Sequence, residues 1–409
     1  MSRIDDMLAN YCPDGVEFRE LQEIFITRNG YTPSTTNKSY WANGTIPWFR
    51  MEDLRKNGRT LSSSIQLISQ EAVKGSRLFP ANSIIIATTA TIGEHALITV
   101  PHLSNQQFTS LSLKPAFSDR LDTRFVFYYC FVLDKWCLSN TTTSSFSSVN
   151  MAGFKKFKFP IPPLSIQQEI VKVLDAFTEL EAELEAELEA RKKQYSYYRD
   201  KLLSFSDDMR VGVRWKTMGE ILLKTQNVRW NERDGSEYQY IDLTSVDCAT
   251  HVIHETSTIT AKNAPSRAQQ IVREGDVIFA TTRPMLKRYT VISHKYDNQI
   301  CSTGFCVLRP NNDIVLTNFL FHTLGTSSFY EHVETNERGA SYPAIPDNLV
   351  KQFKIPIPPL SEQNRIVSIL DKFDALVGDI SEGLPAEISA RRKQYEHYRN
   401  KLLTFQEVA

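Results

Sequence analysis

The chain has 409 residues, 41% of them hydrophobic and 11% aromatic. That is enough for about two to four domains with filled cores, and it excludes a disordered chain. Forty-seven Lys and Arg cancel forty-seven Asp and Glu, so bulk charge does not announce a nucleic-acid binder, and any basic surface has to come from segregation along the sequence. The longest apolar stretch, Phe125 to Leu133, is far short of the ~20 residues that span a bilayer. The start, MSRIDDMLANY, has no apolar signal region, and the expectation is a cytoplasmic protein with no membrane partner. Cys12, Cys130, Cys137, Cys248, Cys301 and Cys306 show no CxxC spacing, and they read as buried free thiols rather than a zinc knuckle or disulfide framework.

Along the chain, the first segment to note is Gly15 to Ile24, GVEFRELQEI, which returns as GVRWKTMGEI at Gly212 to Ile221. Next, Gly44-Thr-Ile-Pro-Trp-Phe-Arg50 with Glu52, Arg55, Lys56 and Arg59 sets a turn, aromatics and cations side by side. Arg and Lys can bond guanine O6 and N7, and Asn and Gln can bond adenine N6 and N7. Arg50, Arg55 and Lys56 are therefore candidates for DNA contact; the plainer alternative makes Trp48 and Phe49 core and the cations merely solvated. Ile84 to Ala87 is a predicted strand within IIIATT, which matches VIFATT at Val277 to Thr282. Gln106 and Gln107 form a second candidate patch beside Asn105, although Asn105-Gln106 aligns with Asn298-Gln299 at the same shift, which suggests a scaffold role. A helix is predicted over Asp122 to Trp136.

The first half closes on FKFPIPPLS, Phe157 to Ser165, and the second on FKIPIPPLS, Phe353 to Ser361. Pro160, Pro162 and Pro163 favour an extended approach, after which Ser165 with Gln168 fits a capping box; Ser361 with Asn364 fits it less well. From Ile166 onward, Ile170, Val173, Leu174, Phe177, Leu180, Leu184 and Leu188 recur at three- and four-residue steps, one apolar stripe on a long helix. Continuous to Phe205, it would be ~60 Å long. Its middle repeats Glu-Ala-Glu-Leu twice, Glu181 to Leu188, an acidic solvated face or a spacer of adjustable length. ARKKQYSYYRDKLLSF (Ala190 to Phe205) returns as ARRKQYEHYRNKLLTF (Ala390 to Phe405). The second stretch contains Gly383 and Pro385, where a helix should bend or break. Two such amphipathic helices most simply bury their stripes against each other, antiparallel. Tyr195 and Arg199, like Tyr395 and Arg399, sit among helix-terminal cations that suit either the macrodipole or a partner.

In the second variable stretch, Thr281 to Tyr289 (TTRPMLKRY) follows a predicted strand, Asp276 to Ala280, and loops after strands commonly carry function. Arg283, Lys287, Arg288 and Tyr289 are the candidates there, with Lys262 and Arg267 of AKNAPSRAQQ secondary. His251, His254 and Glu255 read as a surface strand end rather than metal ligands, so the expectation is no metal site. A second helix is predicted over Leu316 to Thr326. The variable stretches are α+β in kind, and the chain parses as 1–159, 160–205, 206–355 and 356–409, variable and shared in alternation.

Opening motif, variable region, PIPPLS and a helix ending in KQYxxYR, all repeated, cover essentially the whole chain. The combination resembles the specificity subunit of type I restriction-modification systems. The resemblance implies two globular target recognition domains (1–159 and 206–355), each reading one half of a split sequence in double-stranded DNA. It also implies two long antiparallel spacer helices (160–205 and 356–409) that relate the domains by an approximate two-fold, set the gap between half-sites and dock two methyltransferase subunits. Leu180, Leu184, Leu188, Tyr195, Arg199, Tyr395 and Arg399 are then spacer or partner-docking residues. The family's circular arrangement would place Met1 to Asp14 near the C-terminal helix.

The sequence lacks the Asp- or Asn-led Pro-Pro-Tyr/Phe motif of amino-methylating enzymes, because PIPPL has neither the leading group nor the aromatic. It also lacks a G-x-x-x-x-G-K-[ST] phosphate loop. The expectation is a non-catalytic subunit without catalytic residues or a cofactor of its own. S-adenosylmethionine and ATP/Mg would then belong to methyltransferase and restriction/translocase partners, for adenine methylation or restriction. The alternatives are a duplicated helical adaptor that binds proteins without reading DNA, and a free-standing enzyme.

Overall fold

A computed structural model describes residues 2–142, 147–205, 213–233, 235–378 and 383–408. In it, each FxxPIP motif is a strand hydrogen-bonded to the opening of its own module. Lys158–Pro160 runs antiparallel to Phe18–Glu20, with Phe18 opposite Pro160; Lys354–Ile357 runs antiparallel to Arg214–Thr217, with Trp215 opposite Pro356. Two-stranded ribbons have only edges, where proline's missing N–H costs no ladder bond. The two repeated segments thus recur as partners. Gly212 and the expected boundary at 206 lie outside the described residues.

By contacts the chain divides into two compact units, Met1–Glu181 with Arg391–Ala409, and Ala182–Ala390. Each is mixed α and β. The first holds a five-stranded sheet in the order Phe25–Asn29, Phe108–Leu113, Ser83–Ala87, His95–Ile98 and Thr60–Leu61. A second, three-stranded sheet sets Ile46–Phe49 between Leu67–Ile68 and Leu103–Ser104, parallel to the latter. In the second unit Val277–Ala280 lies between Phe305–Pro310 and Tyr289–Val291, all antiparallel. Its five-stranded sheet contains Tyr238–Ile241 parallel to Ile300–Ser302. Both units therefore share a central apolar strand and a parallel pair beside it. The predicted strands at 84–87 and 276–280 are present, and so are the helices, as Thr123–Ser139 and Thr317–Thr323.

The register corrects one alignment. Ala87 opposite Phe108 and Trp48 opposite Leu103 in the first unit match Ala280 opposite Phe305 and Tyr240 opposite Ile300 in the second. Asn105-Gln106 therefore occupies the place of Ser302-Thr303, and its likeness to Asn298-Gln299 is a coincidence of spelling. The chain between the central strand and the next parallel strand differs in length between the units, which breaks the constant shift.

Leu164–Ser204 is one helix of 41 residues, ~60 Å at 1.5 Å per residue, and it runs unbroken through the Glu-Ala-Glu-Leu repeat. Its start is set differently from the expected capping box: both frame helices begin at the leucine before the serine, Leu164 and Leu360. The residue that fixes the start is a fully buried glutamine three positions on. Gln167 accepts from the Asp122 N–H at 2.8 Å and donates to the carbonyls of Arg120 and Pro162. Gln363 accepts from the Leu316 N–H and donates to Ile314 and Pro358. One amide thus ties the proline turn, the frame helix and the helix of the variable domain together. An aspartate about two turns further along repeats the device. Asp175 bonds Tyr128 and Arg124, and Asp371 bonds His322 and Asn318.

The second frame helix is broken, as Gly383 and Pro385 foretell: Leu360–Gly378 ends and Leu384–Leu402 begins again. In the first unit Phe177 stacks on Tyr398 and lies tilted against Tyr395, and Glu181 pairs with Arg392 at 2.5 Å. Partner numbers fall as helix numbers rise, so these segments are antiparallel. The second unit makes the reciprocal contact, with Phe373 stacked on Tyr195 and Tyr198. The first unit's core also takes in Ile4, Leu402 and Leu403, with Met7, Leu8 and Phe405 against it, so the N-terminal helix Ser2–Tyr11 packs beside the chain's end as expected. Four cysteines are buried free thiols and Cys12 is half-buried, but Cys248 is exposed, because it sits in a loop rather than the core.

Candidate nucleic-acid interface

In α/β sheets ligands gather beyond the carboxyl ends of parallel strands, and the parallel pair that recurs in both units, Ile46–Phe49 with Leu103–Ser104 and Tyr238–Ile241 with Ile300–Ser302, is the place to look. In the first unit Ile46–Phe49 ends at Arg50 and Leu103–Ser104 ends at Asn105, with the Asn105 N–H bonded to the Phe49 carbonyl. The fully buried Asp53 carboxylate holds this end by accepting from the N–H groups of Arg50 at 2.7 Å and Ile65 at 2.6 Å. The result is a cleft of about 480 Å³ lined by Thr32, Lys38, Trp41, Trp48, Arg50 and Gln66. Trp48 lies edge-on to Trp41, and the Arg50 guanidinium sits over its ring at 5.6 Å. Cation, amide, hydroxyl and aromatic groups converge there, which is the chemistry that base edges and phosphates require.

Of the residues expected from sequence, Arg50 enters the cleft and exposed Gln106 stands at its rim, where the Thr32 hydroxyl donates to its carbonyl oxygen at 2.5 Å. Gln107 does not join them, because Asn105 takes its side chain to shape the turn. Arg55 and Lys56 are exposed on the helix Met51–Asn57, with Lys56 paired to Glu52 at 2.7 Å. Trp48 and Phe49 are core, as the plainer reading allowed. Lys38, Gln66 and Thr32 were missed. Each lies in its own loop or strand edge, and only the strand pairing brings them to Arg50; no local spacing signals it.

In the second unit the strand ends carry Asp242 and Thr303-Gly304. Burial opposes charge on Asp242, yet donors from Thr244 and Ser245 hold its carboxyl below the usual range. It serves the turn. Around it stand exposed Arg267, whose carbonyl accepts from the Thr303 N–H, and the Thr281–Arg288 loop, whose Thr281 bonds the Gly304 carbonyl. Arg283 and Lys287 on that loop are exposed, and so is Lys262.

Two expectations for this loop need correction. Tyr289 is only 3% exposed, a core residue of the strand Tyr289–Val291 with the His251 ring against it at 4.0 Å. Arg288 turns inward to donate to the carbonyls of Leu243 and Val246. Strand alternation sends neighbours to opposite faces, and here a core lies on each face of the sheet, with Phe279 and Tyr289 in one and Ile278 and Ala280 in the other.

The helix residues expected to dock partners are also engaged within the chain. Tyr195 is buried, its hydroxyl 3.1 Å from His322 Nδ1, and Arg199 lies over its ring. Gly325 makes room for this: a Cβ there would meet the Arg199 guanidinium at 2.5 Å and the Tyr289 hydroxyl at 2.8 Å. In the first unit Arg399 lies 3.9 Å from the Phe131 ring and 5.1 Å from that of Tyr395. The KQYxxYR motif thus fastens helix to domain. Leu180, Leu184 and Leu188 are half-buried along the long helix, Leu188 against the second unit's core.

A duplicated mixed α/β unit, with a long helix between the copies and differently furnished strand ends in each, defines the class: a protein built of two versions of one domain. The family model for the type I restriction modification DNA specificity domain matches residues 13–190 and again 217–390, and the chain belongs to that family. It is 42% identical over 385 residues to the EcoprrI specificity subunit of Escherichia coli, covering 90% of each chain. It is 34% identical over 290 residues to the EcoR124I/EcoR124II specificity subunit of that species, covering 65% of this chain and 69% of the relative. The solved S subunit of a type I system from M. genitalium shares its fold over 95% of this chain and 96% of that one, with a TM-score of 0.50 at 15% identity. The family's function is recognition of DNA sequence by non-catalytic specificity subunits, and two such domains suit a bipartite target. Among the described residues no helix is long and apolar enough to cross a membrane.

Proposed function

We propose that this chain reads an interrupted duplex sequence, one half-site per unit, for a type I restriction-modification complex. The observation that carries the proposal is the contrast between equivalent strand ends. The first unit presents Arg50, Lys38, Gln66 and Gln106 around an aromatic cleft, and the second presents Arg267, Arg283 and Lys287 around a protruding loop. One scaffold furnished twice with different donors suits two different words, since phosphate contacts hold register while base-edge contacts specify. The unbroken helix through Glu181 to Leu188 supports a gap set by helix length. Partner subunits, two methyltransferases and the restriction/translocase subunits, would bring S-adenosylmethionine, ATP and Mg²⁺ for adenine methylation or cleavage, in the cytoplasm where the DNA is.

Methylation mapping of DNA from cells expressing the chain with its modification subunits tests this. The expected result is one split motif with a fixed gap. A continuous motif, or methylation that is unchanged when this chain is omitted, would overturn it.

A further inference from the structure

The Thr281–Arg288 loop carries two adjacent exposed apolar side chains, Met285 at 41% and Leu286 at 48%. They sit in the short turn Pro284–Leu286, bracketed by Arg283 (φ 50°) and Lys287 (φ 57°), both left-handed. Side chains other than glycine adopt that region only when the surroundings impose it. Here they do: the Arg283 N–H bonds the Pro343 carbonyl at 2.7 Å, Pro284 is buried, and Arg288 anchors the loop's base through the carbonyls of Leu243 and Val246. The two apolar groups are therefore held out in water by a braced frame.

Cations flank them. The Arg283 guanidinium lies 4.6 Å from the ring of Tyr342, itself 70% exposed, and the Lys287 ammonium lies 4.5 Å from the ring of Tyr330. The scaffold does not demand such a tip. The matching loop of the first unit, Thr88 to Glu94, has the same left-handed position at Ala90 (φ 63°), yet its Ile92 is partly buried against the core and the loop contains no cation.

An aliphatic tip between two positive charges fits a DNA groove, where phosphates line the rims and stacked bases the floor. We propose that Met285 and Leu286 form a wedge that enters the minor groove and parts one base step within the second unit's half-site, with Arg283 and Lys287 on flanking phosphates. This rests on the DNA-reading function proposed above. Pyrimidine–purine steps unstack most easily, so the wedge also selects sequence, favouring such a step at one position without bonding either base.

The test uses the full chain with its modification subunits and target duplexes carrying 2-aminopurine at successive positions across the half-site. Binding is expected to raise fluorescence at one pyrimidine–purine step. The variant M285S/L286S should lose that rise, bind about tenfold or more weakly and lose its preference for that step while the other positions of the half-site are still read, whereas M285L/L286M keeps the rise, the affinity and the preference. Specific binding with a flat fluorescence profile, or a rise that survives M285S/L286S, overturns the wedge and leaves the reading function standing. So does a double variant that fails to assemble with the modification subunits, which would make the tip a protein contact. A complex with no sequence preference at all overturns the reading function, and the wedge with it.

Discussion

Arg283 and Arg288 are five residues apart on one loop and do different work. Arg283 is exposed with its guanidinium over Tyr342, whereas Arg288 donates to the backbone carbonyls of Leu243 and Val246. Arg283→Ala should weaken binding across related sequences and reduce the salt slope by about one, with melting temperature unchanged. Arg288→Ala should instead strand the carbonyls of Leu243 and Val246 and lower stability by about 2 kcal/mol. Salt-titrated binding together with thermal unfolding separates the two, and equal melting losses would refute the assignment. Gln167 is a purer structural case, because its amide satisfies one N–H and two carbonyls in a buried site. Gln167→Ala should cost about 3 kcal/mol, read as a fall in the urea midpoint, and Gln363→Ala should do the same in the second unit.

At the scale of elements, the long helix is the part most open to a mechanical test. Four residues add ~6 Å to a helix, against ~3.4 Å per base pair. Deleting Glu181 to Leu184 should therefore shorten the tolerated gap by one or two base pairs and leave both half-sites unchanged, as methylation mapping would read; an unaltered gap removes the ruler role. Because the second repeat is identical, the deletion sets Glu185 directly after Leu180 in the place of Glu181, so a glutamate still faces Arg392. Such elements were legible in the sequence because their signals are local. The apolar stripe gave the helix, Gly383 and Pro385 its interrupted counterpart, and IIIATT and VIFATT the central strands. What escaped were residues whose role depends on distant partners. Gln167 and Gln363 are repeated in both copies, yet the neighbouring Ser165 drew attention as a cap, since a capping box is local and a glutamine reaching 45 residues back is not. Tyr289 and Arg288 look like their exposed neighbours in sequence, and only the strand's two covered faces turn them inward.

For the whole molecule, the duplicated frame makes the variable parts exchangeable, with conditions that the hydrogen bonds specify. The frame of the second unit grips its domain at three places: the ribbon Arg214–Thr217 with Lys354–Ile357, the Gln363 bonds to Ile314 and Leu316, and the Asp371 bonds to His322 and Asn318. Two of these bonds are to backbone, so they tolerate any sequence that keeps the turn before the helix. The Asp371 contact needs a donor side chain, and the first unit meets that need with Tyr128 and Arg124 instead. A segment near residues 206 to 350 from another family member should therefore fold here if it supplies a tyrosine, histidine, asparagine or arginine facing Asp371. Such a chimera should alter one half-site and keep the other half-site and the gap. Methylation mapping of the chimera decides the matter: a change in both half-sites would mean that recognition is shared between the heads, and the modular account would fail.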